Sequence, residues 1–168
     1  SIPDVFSRTV LTGICKNTLD HTGNPLRDIL VRADYQQTGG VFMDYDPTGI
    51  SLVSPRLLTA TYYDRYDFLS MQGFGMLEYV QPENGYGTRH SRAVGSLTGS
   101  WVAVTGQDAP AVCSAFYYDN RSRLIQTQST NILGGKDSEY TAYNFPGQPV
   151  KTMRVHTAPG KQEQTEVY

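Results

Sequence analysis

The stretch Ala115-Phe116-Tyr117-Tyr118-Asp119-Asn120-Arg121-Ser122-Arg123-Leu124-Ile125-Gln126 decides the fold. An aromatic run suited to a pleated, half-buried surface leads into four polar residues, and an apolar pattern restarts directly after them. Alternate residues of the first run face inward. The Asp119 carboxylate can accept hydrogen bonds from backbone amides of the turn and so close it. Arg123 follows the turn, and Leu124 is expected to resume the core pattern. Cys113 to Tyr118 and Leu124 to Ser129 therefore read as an antiparallel strand pair joined by a tight polar corner.

The same punctuation recurs on both sides. Tyr140 to Phe145 and Val150 to His156 read as a second hairpin around Pro146-Gly147-Gln148-Pro149. Trp101 to Thr105 has strand character, as does Leu57 to Tyr63, rich in Thr and Tyr. Towards the N-terminus, Thr9 to Leu19 and Leu26 to Tyr35 read as one hairpin around Asp20-His21-Thr22-Gly23-Asn24. Val41 to Tyr45 is a short strand that the turn residues Asp46-Pro47-Thr48-Gly49 should stop. Residues 73–99 hold six glycines and read as an irregular loop, with a short strand around Met76 to Val80. Caps followed by a 3.6-residue apolar period are missing, so any helix should be a single turn near Asp64 to Met71.

Composition agrees. The 168 residues include 12 Tyr, 6 Phe and 16 Gly, and charged residues are 18% of the chain, below the roughly 25% of an ordinary soluble domain. A net charge of −2 without a basic block argues against a nucleic-acid partner. No apolar run reaches the roughly 18 residues of a membrane helix, and Ser1-Ile2-Pro3-Asp4 lacks the basic start and apolar stretch of a signal peptide. Cys15 and Cys113 are widely spaced and outside any CxxC pair; two buried free thiols are expected, with a disulfide between them left open.

The pattern Phe116, Tyr118, Asp119, Arg123 and Leu124 resembles the YD repeat of RHS and teneurin-type proteins, whose usual form is Tyr-x-Tyr-Asp-x-x-Gly-Arg-Leu. Ser122 stands where the repeat usually has Gly, which leaves a positive-φ turn residue in question there. Weaker copies are Tyr62-Tyr63-Asp64, Tyr143-Asn144-Phe145-Pro146-Gly147 and Leu19-Asp20-His21-Thr22-Gly23. The stretch from Arg123 to Pro149, with Thr130-Asn131-Ile132-Leu133-Gly134-Gly135, is most similar to RHS-repeat proteins of gut Bacteroidetes. The resemblance implies an all-β fold of consecutive antiparallel hairpins forming a curled sheet, with little or no helix. It divides the chain into an N-terminal hairpin segment, residues 1–56, and YD-type hairpins, residues 57–168. The corner residues would be Tyr118, Asp119, Arg123, Leu124, Tyr63, Asp64, Tyr143, Asn144 and Gly147. It further implies a non-catalytic segment of a large secreted or surface-exposed bacterial protein, whose partners are other repeats of the same parent and an encapsulated or presented C-terminal domain. Cut sheet edges would permit an edge-paired homodimer.

Chemical alternatives are thin. His21, His90 and His156 show no metal spacing, and Gly95-Ser96-Leu97-Thr98-Gly99 has its Ser in the wrong place for a nucleophile elbow. Asp46-Pro47-Thr48-Gly49 looks superficially like the Asp-Pro-x-Gly segment of a self-cleaving RHS core, but a single copy reads as a plain turn. Asp44 with Asp46, and Asp64 with Asp67, lack the oxygen ladder of a calcium loop and read as turn-closing carboxylates. No cofactor and no metal are expected. The alternative function is a carbohydrate- or cell-surface-binding β-module that presents Tyr62, Tyr66 and Tyr117 as stacking platforms.

Overall fold

The computed structural model describes residues 1–19, 23–24, 31–37, 39–82, 85–104 and 110–168. The fold is all-β with antiparallel pairing, and its sheet does not close on itself. The chain forms two compact units, Ser1–Thr61 and Tyr62–Tyr168.

The N-terminal unit contains β1 (Ile2–Pro3), β2 (Thr9–Ile14), β3 (Asn17–Leu19), β4 (Arg32–Tyr35), β5 (Tyr45–Thr48), β6 (Ser51–Val53) and the first part of β7 (Arg56–Asp64). Its pairing is nested. Leu11 lies opposite Ala60, Thr18 opposite Leu52, and Ala33 opposite Pro47. The chain runs out through β2, β3 and β4 and returns through β5, β6 and β7. The expected local hairpin of Thr9–Leu19 with Leu26–Tyr35 is therefore corrected: the first run splits into β2 and β3, and β3 and β4 each pair with a returning strand. The turn expected over Asp20, His21 and Thr22, and residues 25–30 of the return strand, lie outside the described residues.

Val41 to Tyr45 is likewise not a strand. Phe42 and Tyr45 exchange both backbone bonds at 3.0 Å, and Met43 and Asp44 between them have φ of 52° and 61°, the signature of a type I′ hairpin turn. Asp46-Pro47-Thr48 continues as β5, because proline is tolerated in a strand where its missing N–H would point away from the partner. The core of this unit is spread along its length: Ile2, Val10, Leu11, Ala33, Tyr45 and Ala60 are buried.

The C-terminal unit begins with the end of β7 and adds β8 (Ala93–Val102), β9 (Val112–Tyr118), β10 (Leu124–Thr130), β11 (Lys136–Tyr143), β12 (Pro149–Thr157) and β13 (Gln164–Val167). Their spatial order is their sequence order. In β9 and β11 burial alternates residue by residue, as a sheet with one covered face requires.

The cover comes from the segment between β7 and β8. A 3₁₀ turn at Asp67–Ser70 opens a run of turns in which Met71 N–H donates to Phe68 O, Phe74 N–H to Met71 O, and Leu77 N–H to Phe74 O. A three-residue period places Phe68, Phe74 and Leu77 on the sheet, each with no exposed surface. Phe68 stacks on Tyr62 at 4.6 Å between centroids and meets Phe74 edge-on at 5.0 Å. Burying side chains of this size contributes about 1.5–3 kcal/mol each. Met76 to Val80 is thus part of a plug and not a strand, and β8 already starts at Ala93 within the expected Gly-rich loop. Gly99 in β8 is required by approach: a Cβ there would lie 2.3 Å from the Phe68 ring.

Three polar side chains under the plug, Gln126, Tyr117 and Thr98, are bonded locally. The Gln126 amide imitates a strand partner, accepting from Val80 N–H at 3.2 Å and donating to Val80 O at 2.7 Å. Tyr117 O–H donates to Leu77 O at 2.5 Å, and Thr98 Oγ1 donates to Tyr62 O at 3.1 Å. Such pairing removes the desolvation cost of buried polar atoms.

Candidate functional site

The corner between β9 and β10 is built by Asp119. Its N–H donates to Arg123 O at 3.0 Å, and Ser122 N–H donates to Asp119 O at 3.1 Å. Its carboxylate Oδ1 accepts from Arg121 N–H at 2.8 Å and Arg123 N–H at 3.0 Å, while Oδ2 faces the Arg123 guanidinium at 2.6 Å. Burial pushes the Asp119 carboxyl up, but the Arg123 amide and side chain and the Arg121 amide together hold it below its ordinary value. Ser122 has φ of 59°, so the left-handed position survives without glycine. The geometry is a type I turn followed by a left-handed residue and a bulge.

The bulge corrects one detail of the sequence reading. The register shifts between Leu124 and Gln126, so Ile125 and not Leu124 enters the core; Ile125 is buried and Leu124 is exposed.

Among the described residues the same corner recurs three more times. At Asp4, Phe6 N–H and Arg8 N–H donate to Oδ1 at 2.8 and 2.9 Å, Arg8 pairs with Oδ2 at 2.7 Å, and Ser7 has φ of 62°. At Asn131, Leu133 and Gly135 amides donate to Oδ1 at 3.1 and 2.9 Å, with Gly134 at φ 79°. At Asn144, the Gln148 amide donates to Oδ1 at 2.8 Å, with Gly147 at φ 95°; Pro146 in the middle has no N–H to give. All four also share two backbone bonds: the N–H of the Asp or Asn donates to the carbonyl four residues on, and its carbonyl accepts from the N–H three residues on. Asn144 and Gly147 were legible as a corner. Asp4 and Asn131 were missed, although Asp4-x-x-Ser7-Arg8 repeats the Asp, Ser and Arg of Asp119-x-x-Ser122-Arg123 at the same spacing.

Successive corners are tied together. Arg123 donates to Asn144 O at 3.0 Å and lies over the Tyr143 ring at 5.0 Å. Arg121 donates to Phe145 O at 2.8 Å and covers the Phe145 ring at 4.6 Å. Tyr143 O–H donates to Leu124 O, and Tyr118 O–H to Leu97 O. Each tyrosine thus anchors its strand to the previous one.

Tyr63-Asp64 behaves differently. Asp64 ends β7 with φ of 70°, its carboxylate accepts from Gly95 N–H at 2.6 Å, and the chain continues into the plug instead of turning straight back. The expected corner there is corrected to a strand terminus latched onto β8. The other turn carboxylates act as expected: Asp44 accepts from Gly39 N–H and Asp46 from Val41 N–H.

The three rings assigned to glycan contact are also corrected. Tyr62 and Tyr117 are core residues, 1% and 0% exposed. Tyr66 is half-buried, stacked on Tyr117 at 5.1 Å, with its hydroxyl bonded to Phe116 O. Arg89 covers Tyr66 and Tyr117 at 4.4 and 5.1 Å. Burial raises the Tyr66 phenol to about 12 against the opposing pull of Arg89. These are rings that glue the plug to β9.

On the other face of the sheet, a groove of about 380 Å³ crosses β10 to β13. The register aligns Ser129, Asp137, His156 and Gln164 in one row and Thr127, Glu139, Arg154 and Glu166 in the next. His156 contacts Asp137 at 2.5 Å and Arg154 contacts Glu139 at 3.0 Å. In the first row the carboxylate stands between hydroxyl and imidazole. Ser129 and His156 are two strands apart, about 10 Å, so the imidazole cannot take the serine proton directly as a triad demands. Among the described residues, no group of three or more His, Cys, Asp or Glu side chains is placed to hold a metal, and no helix is long and apolar enough to cross a membrane. His90 bonds Arg92 within its own loop; His21 lies outside the described residues. Both cysteines are free. Cys113 is buried and its thiol is pushed up to about 11 by that burial, whereas Cys15 is exposed, contrary to the expected buried pair. Set against known protein families, curated proteins and solved structures, the chain matches none of the three.

Proposed function

We propose that the chain is a non-catalytic scaffold segment of YD-repeat type, part of a secreted or surface-exposed bacterial β-shell that encloses or presents another domain. The observation that carries this reading is the fourfold recurrence of one hydrogen-bonded corner, at Asp4, Asp119, Asn131 and Asn144. A unit that is copied for its turn geometry, with its carboxylates and amides consumed by its own backbone, is what a repeating wall needs. Its mechanism is geometric: each hairpin buries one face and gains stability from its neighbours. The test is electron microscopy of the full-length gene product. Hairpins continuing in register into a wall around a separate domain support the reading. A segment standing apart from any such wall, or specific glycan capture by the chain on a sugar array, overturns it.

A further inference from the structure

We propose that the loop Arg89-His90-Ser91-Arg92 is an anion site that takes a phosphate group on the Arg89 guanidinium, with Ser91 and Arg92 completing it. This does not depend on the scaffold reading.

The loop is held in one shape by its own backbone. Arg89 N–H donates to the Tyr79 hydroxyl at 3.2 Å, His90 N–H to Tyr118 O at 2.8 Å, and Arg92 N–H to His90 Nδ1 at 3.3 Å. The Arg89 guanidinium stands over the Tyr66 and Tyr117 rings at 4.4 and 5.1 Å. Those rings fix a long side chain in advance, so a ligand need not pay to order it. Its Nε is buried without a hydrogen-bond partner, yet the residue is only half-buried. The surface left open is therefore on the Nη side, the edge that grips an oxyanion with two parallel bonds.

What the loop lacks is a counter-charge. Arg8, Arg32, Arg123 and Arg154 each face a carboxylate within 3.3 Å, whereas among the described residues Arg89 and Arg92 form no ion pair. Residues 85–95 hold two arginines, one histidine and no Asp or Glu. Glu78, whose charge is felt at Tyr117, is exposed and pairs with neither. A half-buried guanidinium without an anion is unfavourable, and ring faces offset only part of that cost. Ser91 and Arg92 are both exposed. Two guanidinium groups and a hydroxyl within four residues suit an anion of several oxygens and more than one charge, which is phosphate and not a simple carboxylate.

The test is a titration of the whole chain with inorganic phosphate at constant ionic strength, read by the Arg89 Nε–H and Ser91 amide resonances. Both should shift and saturate. Arg89→Gln should abolish the shift at Ser91, and Arg89→Lys, which keeps the charge without the fork, should weaken binding several-fold. Arg92→Gln, at an exposed position, should weaken it several-fold with the circular dichroism and Tm unchanged. Arg121→Gln removes a guanidinium already engaged by Phe145 and should leave the affinity as it was. Glycerol phosphate that binds as tightly as inorganic phosphate assigns the site to a phosphate carried on a larger molecule; its exclusion assigns the site to the free ion. Shifts that never saturate, acetate or chloride that match phosphate, or a folded Arg92→Gln and an Arg89→Gln that bind like the parent, overturn the proposal.

Discussion

The two units are made of similar strands and differ in where each strand finds its partner. In the N-terminal unit β2, β3 and β4 must wait for β7, β6 and β5. In the C-terminal unit each strand from β9 onward pairs with the next one along the chain. Closing long loops costs entropy before any contact repays it, and local pairings form sooner. The cores follow the same division. The C-terminal unit concentrates Phe68, Phe74 and Leu77 of the plug against Tyr62 and Tyr117 of the sheet, while among the described residues the N-terminal unit spreads fewer and smaller buried side chains along its run. A strand can thus be held by its neighbour's corner or by a distant return, and the first arrangement leaves a stronger trace in sequence.

The largest effect should come from the plug. Phe68→Ala removes a ring with no exposed surface that touches Tyr62 and Phe74, and should cost about 3–5 kcal/mol. Urea unfolding followed by Cys113 labelling reads the C-terminal unit directly, since that thiol is buried. A loss under about 1 kcal/mol would mean the plug is not what stabilises this unit.

Next come the phenols anchored on main-chain carbonyls. Tyr117→Phe strands the buried Leu77 carbonyl and should cost roughly 1–3 kcal/mol, whereas Tyr45→Phe, whose partner Thr61 O is part-buried, should cost about 0.5–1.5 kcal/mol. Equal losses in thermal denaturation would erase the contrast in burial between the units.

Asp119 separates geometry from charge. Asp119→Ala should cost about 1–2 kcal/mol, since two amides and a guanidinium lose their acceptor. Asp119→Asn keeps an amide acceptor, as Asn131 and Asn144 do naturally, and should cost less at pH 7. The folded carboxyl is held below its ordinary value, so its contribution is complete above about pH 4 and is lost as pH falls through the folded value. The gap in urea midpoint between the parent and Asp119→Asn should therefore close on acidification. A gap that is constant from pH 7 to strong acid would remove the charge from the account.

Legibility follows the same line. The β9–β10 hairpin, its Asp119 closure, the β11–β12 hairpin and the single helical turn were readable, because turn chemistry and alternation act over a few residues. The nested partners of β2, β3 and β4 were not, since nothing in a strand names a partner far along the chain. Gly95 and Gly99 looked like loop residues because strand glycines that serve a positive φ, as Gly95 does at 79°, or a close approach, as Gly99 does for Phe68, cannot be told from turn glycines by type. The plug did carry a signal: Phe68, Met71, Phe74 and Leu77 keep a three-residue period, which neither the helix nor the strand template detects. At the corners, the emphasis on Tyr-Asp hid the spacing that matters, an Asx residue followed three positions later by one able to adopt positive φ.

That spacing gives the smallest and most direct comparison. Ser7 and Ser122 hold left-handed backbone at φ 62° and 59°, which costs an L-residue about 1–2 kcal/mol. Glycine removes that strain but returns roughly 0.4–1 kcal/mol to the unfolded chain. Ser7→Gly and Ser122→Gly should therefore each stabilise by something under about 1 kcal/mol, visible as a small rise in Tm. If both rise alike, the corner is one device used in both units. If only Ser122→Gly raises Tm, the Asp4 corner opens before the main transition, as a loop joining the two-residue β1 to β2 would do by fraying, and the contrast between the units extends to the corner itself. A fall in Tm for Ser122→Gly would mean that the serine makes a contribution beyond adopting the turn.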